Sequence, residues 1–161
     1  MLPLIKNRLV PAHYPHVLFD HFRILIYAHR REDPCHEFYR AWVERLANGA
    51  EPFALSALVA VAFVRIVTHP RFSPAPTPLH QALAVIDSLA TLKNCHWIFP
   101  GENLWNLVKE FCAAATAQGK LVADAQHAAV ALEHGCTLVT RDADFEVFRS
   151  TGLRLEILQP E

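Results

Sequence analysis

Apolar positions recur along this chain with two different spacings that alternate. "HVLF" (16–19) is a short apolar run of strand type, and "PFAL" (52–55), "CHWIF" (95–99) and "CTLVT" (136–140) are similar, each bounded by turn-forming or polar residues. Near the end "LRLEIL" (153–158) alternates like another strand. Between these lie helical patterns. In "DPCHEFYRAWVERLANG" (33–49) Phe38, Trp42, Val43 and Leu46 share one face, with Pro34 just inside the start and Gly49 past the end. Ser56 is placed to N-cap a helix running to about Val67, which "HPRF" terminates. Leu79, Leu83, Ile86 and Leu89 mark a further helix, and Leu104, Leu107, Val108, Phe111 and Cys112 an amphipathic one that Gly119 stops. "DAQHAAVALEHG" (124–135) starts with Asp124 at an N-cap or first-turn position, presents Ala125, Ala128, Ala129 and Leu132 on one face, and ends on Gly135.

Strands separated throughout by helices predict an α/β fold whose sheet is mostly parallel and covered on both faces. With 161 residues, 52% of them apolar and 19% charged, the chain has enough apolar mass for one sizeable core. The longest apolar stretch, Ala54 to Val64, is too short to span a bilayer, and residues 1–16 hold no extended apolar run of signal-peptide type, so a cytoplasmic protein is expected. Five glycines and no GxGxxG or Walker pattern leave no phosphate-binding loop. The four cysteines form no close pair and the ten histidines no HExxH spacing; three of the cysteines lie in apolar surroundings and read as reduced core residues. Trp42, Trp97 and Trp105 lie on element faces and read as core.

Candidate chemistry therefore rests on carboxylates. In an open parallel sheet, ligands bind in the crevice beyond the carboxyl ends of the strands. Asp20 follows "HVLF", Asp142 follows "TLVT" by two positions, and Asp124 starts the helix before that strand, so all three can reach one crevice. Hard oxygen ligands without Cys or His support suit Mg²⁺ or Mn²⁺ better than zinc. Structural alternatives stand beside each residue: a helix cap for Asp124, an Asx turn in "TRDADF" for Asp142 and Asp144, a strand-end turn for Asp20. With a net charge of −1, contact with nucleic acid must come from local basic groups. Arg30 and Arg31 after the first helix, Lys120 before the Asp124 helix and Arg141 are the main candidates for phosphate-positioning contacts, with Arg65 and Arg71 behind them, and solvated surface is the alternative for each.

From "ILIYAHR" through "FVRIVTHPRF" and "GKLVADAQHAAVALEHGCTLVTRDADFEVF" to "GLRLEIL", the chain resembles the PIN-domain ribonucleases, most closely the VapC-type toxins of bacterial toxin–antitoxin pairs. The match covers about residues 17 to 158; its most specific part is an Asp-Ala helix, a glycine turn, a strand and a Thr-x-Asp exit in that order. The resemblance implies a three-layer α/β/α sandwich over residues 17–161 with 1–16 as an N-terminal extension, and metal-dependent cleavage of RNA with Mg²⁺ or Mn²⁺. It also implies a cognate antitoxin that covers the active site, and a homodimer. By this correspondence Asp20, Asp124 and Asp142 are the catalytic metal ligands, Asp144 is a fourth candidate, and the Thr140 hydroxyl orients Asp142 or a metal water. Two positions depart from the family pattern. The glutamate that many PIN domains carry before the Phe of "FxRxxT" is Ala62, and the usual Asp-x-Asn before the "LIYA" cluster is replaced by "DHFR". Counted back from Tyr27 the aspartate slot is His21 and the amide's is Arg23, whereas counted from the strand Asp20 is the aspartate, with one extra residue absorbed in the turn. A PIN-fold protein weakened in catalysis, acting by binding an antitoxin or RNA, is the alternative these departures motivate.

Overall fold

A computed structural model describes residues 17–19 and 22–160; the N-terminal extension and Asp20 lie outside the described residues. In chain order the elements are β1 (Val17–Phe19), α1 (Phe22–His29), α2 (His36–Asn48), β2 (Phe53–Ser56), α3 (Ala57–Val67), α4 (Leu79–Ala90) and β3 (Cys95–Ile98). They continue with α5 (Leu104–Ala115), α6 (Lys120–Glu133), β4 (Thr137–Thr140), a 3₁₀ helix (Ala143–Thr151) and β5 (Arg154–Ile157). The sheet has order β3-β2-β1-β4-β5, and every neighbouring pair is parallel. The chain builds outward from β1 through β2 to β3, then returns to the other side of β1 for β4. The strand order thus reverses between β1 and β4, where a parallel sheet opens a crevice at its carboxyl edge.

Successive strand side chains point to opposite faces, and the core divides accordingly. Phe53 and Leu55 of β2 and Val139 of β4 pack with α1 to α4 around Ile24, Tyr39, Trp42, Phe63 and Ile86. Ala54 and Leu138 pack on the other face with α5, α6 and the 3₁₀ helix around Phe111, Phe145 and Phe148. These are the three layers, helices on both sides of the sheet, that the sequence implies. The four cysteines are free, as expected of reduced thiols; burial pushes the Cys95 thiol up to about 12.

Several local expectations shift. The Ser56 hydroxyl accepts the Leu58 N–H and caps α3 as predicted, but α2 begins at His36, after Pro34. The Asp33 carboxylate instead accepts the Cys35 N–H at 2.9 Å and closes a turn ahead of the helix. In α4 the buried stripe is Ala82, Ile86 and Leu89, which leaves Leu79 and Leu83 exposed; small Ala82 faces the core in their place. Trp105, read as core, is 68% exposed. Gly119 does not stop α5, which ends at Thr116 in a left-handed conformation. Gly119, at φ 55° and ψ −122°, instead starts α6. That backbone state is open to glycine at little cost and strained for other residues. Consequently α6 begins four residues earlier than its Asp-Ala signature suggests, and Asp124 is an interior residue of the helix, not its cap.

The small face of α6 sets how near that helix lies to the sheet. Ala125, Ala128, Ala129 and Ala131 are all fully buried. Replacing Ala129 by leucine forces extra volume into a close-packed layer, and Ala129→Leu is expected to lower unfolding free energy by about 1–3 kcal/mol. Urea denaturation checks this as a lower midpoint at unchanged m-value.

Candidate metal centre

Where the strand order reverses, α6 and the exit of β4 bring carboxylates together. Asp124, Asp142 and Asp144 each offer one oxygen, and these three oxygens lie within 4.8 Å of one another. Asp124 comes from α6, whose alanine face lies against the sheet. Asp142 leaves β4 two residues after its last strand position, and its conformation is set locally. Its N–H donates to the Thr140 hydroxyl at 3.1 Å, and its Oδ1 accepts the Asp144 N–H at 3.1 Å, which caps the 3₁₀ helix. The Asx turn and the ligand role are thus compatible in one residue: Oδ1 holds the turn while Oδ2 faces the cluster. Thr140 is fully buried, and its hydroxyl orients Asp142 through the backbone. The last strand position of β1, Phe19, stands in register with Val139 of β4.

Two cations answer these charges. Lys120, the first residue of α6, donates to Asp142 Oδ2 at 2.8 Å and to Asp144 Oδ2 at 3.0 Å, and its Nζ stands 3.4 Å from Asp124 Oδ2. Arg23 of α1 approaches Asp142 Oδ2 to 3.2 Å. Buried Asp124 and half-buried Asp142 differ in environment. Burial pushes the Asp124 carboxyl above the ordinary aspartate value, partly offset by the Lys120 charge. Burial acts on Asp142 in the same direction, but the Lys120 hydrogen bond, the Asp144 N–H and the charges of Lys120 and Arg23 outweigh it and hold that carboxyl low. Burial disfavours charge on Lys120 too, yet hydrogen bonds to Asp142 and Asp144, with the charges of Asp124 and Asp142, raise its pKa well above the usual lysine value.

The donor set fits a divalent cation. It is made of hard carboxylate oxygens, the class that Mg²⁺ and Mn²⁺ prefer. Asp124 Oδ2 is buried and completes no hydrogen bond, the Lys120 ammonium approaching it without closing one. A buried, incompletely satisfied carboxylate oxygen is costly in a structural site and is what an ion would satisfy.

The other basic candidates separate. Lys120 lies inside the helix, not ahead of it, with its half-exposed side chain turned onto the acid cluster; the early start of α6 puts it one turn before Asp124, on the same side. Arg141 turns away from the carboxylates, its guanidinium 4.2 Å from the ring centre of Tyr27 and 5.6 Å from that of Tyr39. Arg30 lies over the ring of Phe72 at 5.3 Å. Arg31 is exposed and lines a cleft of about 690 Å³ with His29, His36, Glu37 and Arg40. Sequence reasoning overlooked Lys120 as a partner of the acids. The signal was its position four residues before Asp124, readable only once the helix is known to start at Lys120. Ala62 lies on α3, where the family's glutamate is absent.

Comparison with known proteins identifies relatives of the chain. The PIN domain family model matches residues 23–150. The chain is 34% identical over 127 residues to Ribonuclease VapC31 of Mycobacterium tuberculosis, covering 79% of this chain and 89% of that protein. It is 36% identical over 126 residues to Ribonuclease VapC43 of the same organism, covering 78% and 86%. Among solved structures, VapBC2 from Rickettsia felis, bound to a DNA fragment from its promoter, superposes with a TM-score of 0.60 at 19% identity, covering 88% of this chain and 96% of that one. Mycobacterium tuberculosis VapC20, described as a sarcin-ricin loop cleaving toxin, gives a TM-score of 0.59 at 14% identity, covering 89% and 98%. At these identities the solved structures show the shared fold.

The stacking of Arg141 ties the Asp142 turn to α1 and α2, alongside the Tyr39 hydroxyl that donates to the Leu158 carbonyl at 3.1 Å. Arg141→Ala is expected to lower unfolding free energy by about 1–2 kcal/mol, the scale of a partly desolvated cation–π contact. Chemical denaturation measures it; a residue serving only as an RNA contact would leave stability unchanged and weaken RNA binding alone.

Proposed function

The chain belongs to the PIN-domain family, and from that membership together with its carboxylate cluster we propose that it is a metal-dependent endoribonuclease, the toxin of a toxin–antitoxin pair. The observation that carries the reading is the convergence of Asp124, Asp142 and Asp144 at the strand-order reversal, with a buried Asp124 oxygen that the Lys120 ammonium approaches only to 3.4 Å. Asp20, which follows the last residue of β1, is proposed as a further ligand from the same crevice. A bound Mg²⁺ or Mn²⁺ would supply positive charge for the attacked phosphodiester and lower the pKa of a water able to attack it.

The residues of this chain do the rest. Asp124 and Asp142 hold their oxygens in fixed positions because one is anchored by a close-packed helix and the other by its Asx turn and by Thr140. Asp144, the most exposed of the three, completes the ligand set. Arg31 is the proposed phosphate-positioning contact, since it lines an open cleft, whereas Arg30 and Arg141 are engaged with aromatic rings.

The relatives named VapC ribonucleases and the neighbouring VapBC complexes support a cognate antitoxin as partner. A homodimer and a cytoplasmic location complete the proposal. No helix among the described residues is long and apolar enough to cross a membrane. Ala62 and the pairing of Asp142 with two cations favour a second reading, a PIN protein of low catalytic power that acts through binding.

An assay with Mg²⁺ or Mn²⁺ separates the two. Asp142→Asn keeps an oxygen to cap the 3₁₀ helix but loses the charge, and is expected to reduce RNA cleavage by at least about 100-fold, the loss that disturbing even an outer-sphere partner can reach. Millimolar Mn²⁺ should raise the melting temperature of the wild type, and raise that of Asp124→Ala less. Absence of both metal-dependent cleavage and metal-induced stabilisation refutes the nuclease.

A further inference from the structure

We propose that the Lys120 ammonium is the resident cation of the carboxylate cluster, that it occupies the space a divalent ion needs, and that it leaves when that ion enters. The inference rests on reading the cluster as a divalent-metal site. It assigns Lys120 a role distinct from RNA binding and from ordinary surface pairing: an internal competitor that sets how readily the site loads.

Geometry is the first support. Nζ lies 2.8 Å from Asp142 Oδ2, 3.0 Å from Asp144 Oδ2 and 3.4 Å from Asp124 Oδ2, so one ammonium touches an oxygen from each of the three clustered residues. A divalent ion of the Mg²⁺ class binds such oxygens at roughly 2.0–2.1 Å. Ion and ammonium would have to share the same small space among the same three carboxylates, and like charges at that separation repel strongly.

Charge gives the second support. Among the described residues, three carboxylates face Lys120 and Arg23, which leaves one negative charge uncompensated. A divalent ion entering beside both cations would turn these described groups positive, and entry with departure of Lys120 would leave them neutral; Asp20, proposed as a further ligand, would add one negative charge to either state. Lys120 is also the cation built to leave. Its side chain is 49% exposed, it stands on a flexible unbranched stem at the first position of α6, and it follows the glycine that starts that helix. Among the described acids of the cluster Arg23 pairs with Asp142, and it stays as that partner. Without an ion, Lys120 spares the buried acids an unpaired state; the consequence is a weaker hold on divalent ions than the carboxylates alone would have.

Mn²⁺ titration of the full chain, followed by the electron paramagnetic resonance of free Mn²⁺, tests this without any assay of cleavage. Lys120→Gln is expected to bind Mn²⁺ about ten-fold or more tightly than wild type, a coupling of ordinary size between competing sites, and Lys120→Arg to bind nearly as weakly as wild type. Equal or weaker binding by Lys120→Gln overturns the inference while leaving the metal site intact. No Mn²⁺ binding by either protein overturns the metal-site reading itself. A second measurement needs no variant: amine labelling of wild-type Lys120, read by mass spectrometry, should increase as Mn²⁺ saturates the site. Labelling that stays constant while Mn²⁺ demonstrably binds refutes the exchange.

Discussion

Carboxylates gathered at one edge of a sheet repel one another, and the local architecture answers that repulsion. Two unit charges about 4–5 Å apart interact by a few kcal/mol at an effective dielectric near 20, so three aspartates with oxygens inside 4.8 Å need both a rigid frame and a counter-charge. The frame is the pair of packed helical layers on either side of a parallel sheet. The counter-charge is Lys120, with Arg23 behind it. Without the frame the acids splay, and without a counter-charge, whether Lys120 or a divalent ion in its place, they favour protonation.

Packing and chemistry meet in α6. Its alanines let the helix lie close to the sheet, which carries the Asp124 carboxylate to the carboxyl edge where β4 delivers Asp142. The same helix supplies Lys120 one turn earlier, so its backbone is fixed beside the ligand while its flexible side chain carries the counter-charge. The 3₁₀ helix completes the arrangement by accepting Asp142 as its cap. That cap fixes one oxygen of the carboxylate and leaves the other facing the cluster. Arg141, adjacent in sequence to Asp142, anchors the turn from the opposite side by stacking on Tyr27 and Tyr39. A single tripeptide thus points its polar groups in different directions: Thr140 to the backbone, Arg141 to the aromatic layer, Asp142 to the crevice.

Much of this was readable from local pattern. The α/β order, the Ser56 cap, the glycine after α6 and the aspartates at the strand exits all follow from residue type at short spacing, where propensity and periodicity act. Boundaries were harder. Asp124 looks like an N-cap because aspartate favours that position, yet Gly119 turns the chain four residues earlier. Leu79 and Leu83 look like core because leucine is apolar, yet α4 presents small Ala82 inward and leaves both outside. Trp105 is exposed for a related reason: α5 meets its neighbours through Leu107, Val108 and Phe111.

By itself the sequence determined the class of fold, the identity of the acids available for chemistry and the family pattern that joins them, because those depend on composition and on contacts a few residues apart. Only the tertiary structure decided what each charge faces. Lys120 and Asp144 are 24 residues apart, and Arg23 and Asp142 belong to opposite ends of the domain. Their meeting depends on β4 returning beside β1, and on α6 lying close enough to the sheet to bring its first turn over the strand ends. Basic residues that look interchangeable in the sequence were divided by that geometry into a counter-ion, a carboxylate partner, aromatic anchors and a surface contact, since long flexible side chains take their roles from whatever charge or ring the fold sets within reach.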